Sequence, residues 1–70
     1  MIIFARMKVK ILYIDEFENQ EYVEGVIDEN KINGYFHTRE NVEDDSVNIF
    51  FDGQTLTLKR DFELMQYLVK

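Results

Sequence analysis

The dipeptide Asp52-Gly53 constrains this chain more than any other feature. Both residue types accept positive φ, and a two-residue loop of this kind joins antiparallel strands through a type I′ turn. With the loop placed there, Phe51 opposes Gln54, Phe50 opposes Thr55, Ile49 opposes Leu56 and Val47 opposes Leu58. Val47, Ile49, Phe51, Leu56 and Leu58 then share one face; Asn48, Thr55 and Thr57 share the other. Turn chemistry and binary pattern agree independently. A slip of one residue would turn the whole apolar set towards water. The spacing therefore predicts strands over 46–51 and 54–58. Phe50 lies on the polar face of this hairpin, so either a second layer covers it or it is an exposed anchor. The expected cover is the C-terminal helix or the first strand, the helix being preferred.

That helix follows at once. Asp61 is placed to cap a helix over 61–69, with Glu63 at its positive end and Lys70 at its negative end. Phe62, Leu64, Met65, Leu68 and Val69 make a broad apolar stripe. A helix this short is marginal alone and must dock. Upstream, apolar residues at 7, 9, 11 and 13 alternate with Lys8 and Lys10, the period of a half-buried strand over 7–14. Leu12 and Ile14 break the alternation, so the strand end is expected to be buried on both faces or bulged. Residues 21–28 read as a second strand. The next turn has two readings. Asn33-Gly34 suits a tight hairpin; Asp28-Glu29-Asn30-Lys31 turns equally well with Asn30 left-handed. The second leaves 32–39 as a strand of ordinary length, with Gly34 marking a bulge or close packing, and is preferred.

Seventy residues form one domain, 1–70. The expected class is mainly β: a small antiparallel sheet of about five strands, barrel-like, with one short C-terminal helix. The layout is similar in outline to small OB-like or Sm-like barrels, an architectural likeness without a motif of either family. Residues 1–6 are either an upstream start or an extra strand segment.

Composition removes several functions. With no cysteine there is no disulfide framework, thiolate zinc site or cysteine nucleophile. The longest apolar runs, 1–5 and 11–14, are too short to span a bilayer or form a signal-peptide core. A cytoplasmic protein without a membrane partner is expected. The net charge of −6 argues against duplex nucleic acid as a partner and against general phosphate binding. No glycine-rich phosphate loop occurs. His37 and Ser46 are the sole residues of their types, and Ser46 runs into a strand rather than a strained nucleophile turn. Acids at 15–18 and 43–45 lack calcium-loop spacing. No enzyme, metal or cofactor is expected.

Charge and aromatic patterning supply the binding candidates. Residues 15–52 hold twelve acids and two bases, a net −10. Glu18, Glu21 and Glu24 lie in a first acidic segment, and Glu40, Glu43, Asp44 and Asp45 in a second. The bases Arg6, Lys8, Lys10, Lys59 and Arg60 gather near the ends. Solvated loops explain such acids; so does a surface that engages a basic protein site built for phosphates. Tyr35, His37 and Arg39 would share one strand face with Asn33, opposite Ile32, Gly34 and Phe36, and could serve a protein contact or stack a single strand's bases. The expected function is a non-enzymatic protein-binding module, a small acidic regulator or inhibitor, analogous in type to small acidic phage proteins. The alternatives are a self-associating assembly subunit, as a homodimer or larger homo-oligomer, and a single-strand nucleic-acid binder.

Overall fold

A computed structural model describes residues 6–69. The question of an extra segment at 1–5, and the role of Lys70 at the helix end, lie outside the described residues. Five strands, β1 (Arg6–Ile14), β2 (Gln20–Asp28), β3 (Ile32–Phe36), β4 (Ser46–Phe51) and β5 (Gln54–Lys59), form one antiparallel sheet in the order β2-β1-β5-β4-β3. Two helices complete it, α1 (Arg39–Asp44) and α2 (Phe62–Leu68). The mainly β architecture with a short C-terminal helix is as expected. The sheet stays open, with β2 and β3 as its edges: a 3₁₀ turn (Glu29–Lys31) links them, but no ladder joins them among the described residues.

The β4–β5 register is the one the turn dictates, from Phe51↔Gln54 to Val47↔Leu58. Asp52 (φ 48°) and Gly53 (φ 82°) are both left-handed, as a type I′ turn requires. Val47, Ile49 and Leu58 are fully buried, joined by Met7, Val9, Ile27 and Leu64. Leu64 comes from α2, whose Asp61 cap accepts the Leu64 N–H at 2.8 Å. Met65, Tyr67 and Leu68 pack around it, and the Tyr67 hydroxyl donates to the Glu29 carbonyl at 3.0 Å. Phe62 and Val69, expected on the buried stripe, are exposed, since seven residues present only about two turns to the sheet.

The helix does not cover Phe50. It packs on the Val47–Ile49–Leu58 face, and Phe50 points to the other, where its ring lies 5.1 Å from that of Phe36. Gly34 pairs with Phe50 across the ladder, and a Cβ there would sit 3.4 Å from the Phe50 ring, at the edge of ordinary contact. The β3–β4 register shifts between Ile32 and Gly34, the expected bulge. The preceding turn is 3₁₀, with Asp28 accepting the Asn30 N–H at 3.0 Å; Asn30 is not left-handed.

β3 ends at Phe36 rather than at residue 39. Thr38 stops it by capping α1: its hydroxyl accepts the Asn41 N–H, while the Asn41 side chain accepts the Thr38 N–H at 2.7 Å. This reciprocal pair satisfies two amide donors that a strand would have left facing water. Asp45, left-handed at φ 55°, closes the helix.

The β1–β2 ladder runs without interruption from Arg6↔Asp28 to Ile14↔Gln20. The end of β1 is therefore neither bulged nor buried. Its register against β5 is fixed at Ile11↔Leu58, and beyond that point Tyr13 and Ile14 are exposed. A Cβ on Gly25 would lie 2.8 Å from Ile11 Cδ1, so glycine there lets Ile11 lie across β2. Among the described residues, no helix is long and apolar enough to cross a membrane.

Candidate binding surfaces

The distal half of the β1–β2 hairpin is an arm. Its loop is a type I turn at Asp15–Glu18, closed by the Glu18 N–H donating to the Asp15 carbonyl at 3.0 Å. Glu18 follows in the left-handed conformation at φ 65°. The Asp15 carboxylate organises the loop, accepting N–H bonds from Phe17 and Asn19 at 2.9 Å each and one from the Asn19 amide at 3.2 Å. The Asn19 backbone N–H is the main cause that holds the Asp15 carboxyl below its ordinary pKa. Desolvation opposes it, and the Asn19 side chain and the Phe17 N–H lower it further. The ordered tip exposes Phe17 (77%), Ile14 (55%) and Tyr13 (51%). Glu16, Glu18 and Glu21 stand exposed beside them. Apolar anchors rimmed by charge are the anatomy of an interface patch.

The second acidic group sits on α1. Glu40, Glu43, Asp44 and its cap Asp45 are exposed, and the one buried residue of this helix is Asn41. A polar network, not an apolar face, holds α1 down. Asn41 Nδ2 donates to Ser46 Oγ at 2.9 Å and to Asn48 Oδ1 at 3.2 Å, and Thr57 Oγ1 donates to the same Asn48 oxygen at 2.7 Å. Arg60 reaches from the end of β5 to donate to the carbonyls of Asn41 and Ser46 at 3.3 and 3.1 Å. Its Nε lies 3.7 Å from Asp45 Oδ1, an ion pair too long for a hydrogen bond.

The twelve acids of the middle segment therefore do not make one surface. Glu18, Glu21 and Glu24 belong to β2 and its loop at one edge. Glu40, Glu43, Asp44 and Asp45 lie on α1 beside β4. The strand order sets β1 and β5, the lysine-bearing strands, between them. Sequence reasoning placed these lysines near the chain ends without bringing them together. Pairing of the first strand with the fifth does so, a long-range contact that no local pattern announces.

The proposed stripe of Tyr35, His37 and Arg39 is also divided. Tyr35 opposes Ile49 on β3, His37 lies in the connection, and Arg39 opens α1. Only Tyr35 and His37 remain neighbours, edge to face at 6.0 Å. The bulge brings Ile32 and Tyr35 to the same side, because Ile32 opposes Phe51 and Tyr35 opposes Ile49. The signal that could have found this was Thr38 three residues before Asn41, with a helix-length polar run behind it.

Among the described residues, no group of three or more histidine and carboxylate side chains is placed to hold a metal ion. No family model, no curated protein and no solved structure matches this chain.

Proposed function

We propose that this chain is a cytoplasmic, non-enzymatic protein-binding module, a small acidic regulator that inserts its β1–β2 arm into a basic site on a larger protein. The supporting observation is the arm's tip, where Tyr13, Ile14 and Phe17 stand exposed beside Glu16, Glu18 and Glu21 on a loop ordered by Asp15. Carboxylates steer the arm to a cationic surface, and the aromatic rings supply the desolvated contact that makes such an encounter durable. A basic site built for nucleic-acid phosphates has the matching charge.

The test is a pull-down from source-cell lysate with tagged protein, run with and without excess duplex DNA. The wild type is expected to capture one larger protein, and DNA to displace it. Phe17→Ser and the pair Glu18→Lys with Glu21→Lys are each expected to abolish capture. Capture that survives both changes refutes the arm as the binding element.

A second reading, self-association, draws on the sheet's edges. β3 is short and bulged, whereas β2 is a regular nine-residue edge strand without proline. Recovery of the chain alone, with mass rising with concentration in light scattering, favours that reading.

A further inference from the structure

A groove of about 560 Å³ opens on the sheet where β5 ends and the chain leaves towards α2. Four cations, Lys8, Lys10, Lys59 and Arg60, line it together with two acids, Glu24 and Asp61. We propose that this groove binds a compact oligophosphate, such as the triphosphate group of a small molecule.

Local electrostatic conflict carries the inference. Lys10 precedes Ile11 and Lys59 follows Leu58, so the antiparallel pair Ile11↔Leu58 sets the two lysines side by side. Like charges opposed across strands destabilise a sheet. A chain with 14 acids has ample means to neutralise them. Yet Lys8 and Lys10 make no ion pair within 4.0 Å among the described residues, although Glu24 is the direct cross-strand neighbour of Lys10. Lys59 is held in place without being neutralised: it donates to the Asp44 carbonyl at 3.1 Å and lies 5.4 Å from the centre of the Tyr22 ring. Arg60 is fixed by the carbonyls of Asn41 and Ser46. Lys59 and Arg60 are thus held in place, Arg60 with Asp45 beside it, while Lys8 and Lys10 stand exposed without an acidic partner among the described residues; a bound multivalent anion relieves that excess of positive charge.

The net charge of −6 does not forbid this. Screening limits each charge to about 8 Å at physiological salt, so the groove responds to its own lining. The surrounding acids instead set the size of the ligand. Glu24 on β2 and Asp61 after β5 are part of the lining, and Asp45 stands 3.7 Å from Arg60 Nε. The further an anion extends from the four cations, the more of these carboxylates it meets, so a compact ligand is favoured.

The experiment is titration calorimetry with inorganic tripolyphosphate on the whole chain, with sodium chloride matching ionic strength throughout. One saturable site is expected. The double variant Lys10→Gln with Lys59→Gln is expected to bind at least tenfold more weakly, whereas Lys31→Gln, away from the groove, binds as the wild type. Without ligand, the double variant should melt at the same temperature as the wild type or higher, because repulsion is relieved. Adenosine triphosphate separates the sources: affinity equal to that of tripolyphosphate assigns recognition to the phosphate chain, and tighter binding assigns a share to the nucleoside; both support the site. Absence of saturable binding, or equal binding by the double variant, overturns the proposal. So does a single-stranded 20-mer that binds more tightly than tripolyphosphate.

Discussion

The β4–β5 hairpin and the distal part of the β1–β2 hairpin are both regular antiparallel ladders closed by tight turns. They differ in what surrounds them. The first has β1, β3 and α2 against it, and its inward residues Val47, Ile49 and Leu58 are fully buried. The second leaves the sheet after Ile11 and exposes Tyr13, Ile14 and Phe17. One hairpin holds the fold together by burial. The other is held in shape by its own loop and spends its apolar residues on the surface. In a domain this small burial is scarce, and the proposed binding role rests on the apolar side chains gathered at the arm's tip.

Core truncation should separate the two regions most widely. Ile49→Ala is expected to cost about 2–5 kcal/mol, a large share of what a domain of this size has. Tyr13→Ala and Ile14→Ala should change stability by less than about 0.5 kcal/mol. Urea unfolding followed by circular dichroism measures all three. A similar cost at Ile14 would mean that the arm packs against something and is not free to bind.

Next comes the polar side of the body. Asn41→Ala removes the cap partner of Thr38 and the donor to Ser46 and Asn48. A loss of about 1–3 kcal/mol is expected, because buried partners are left unsatisfied. Amide exchange should rise first in α1, while β4–β5 stays protected. Uniform loss of protection would show that α1 and the sheet unfold as one unit.

The β4–β5 register, the Asp61 cap and the Gly34 bulge were legible in the sequence because each is written locally, in turn residues or in period-two alternation. α1 was not. Its face is polar, its one buried residue is Asn41, and no 3.6-residue apolar period exists to reveal it. Reading residues 37–39 as strand then created the false stripe of Tyr35, His37 and Arg39. The arm's carboxylates were visible, but the exposure of Tyr13 and Ile14 was not, since alternation does not say where a neighbouring strand stops. The lysine groove depends on β1 meeting β5, a pairing between segments nearly fifty residues apart.

The two turns can be compared directly. At Gly53 (φ 82°) an added Cβ meets nothing within 4 Å, so any cost of substitution there is conformational. Gly53→Val should cost about 1–2 kcal/mol, and Gly53→Asn clearly less. In the arm, Glu18 occupies the left-handed position that glycine would fill. Glu18→Gly should therefore stabilise the loop by about 0.5–1 kcal/mol. If capture of the partner falls although the loop is firmer, the Glu18 carboxylate itself is needed for binding.

The smallest expected effect is the most local. The Asp15 carboxylate accepts the Phe17 and Asn19 N–H groups, and its pKa in the folded arm lies below the ordinary aspartate value. A carboxyl that binds its proton more weakly when folded favours the folded loop wherever it is ionised. The contribution is complete above the ordinary value and is lost as pH falls through the lowered one. Amide chemical shifts of Phe17 and Asn19, followed by NMR from about pH 7 to about pH 2, should move together, with a midpoint below that of an unstructured aspartate. The amides of β4–β5 should not follow that titration, because no such carboxylate closes their turn. Asp15→Ala should remove the transition and leave the loop open at every pH while the body stays folded. A titration that instead carried the β4–β5 amides with it would mean that the arm and the body form one cooperative unit, and the division between them would fail.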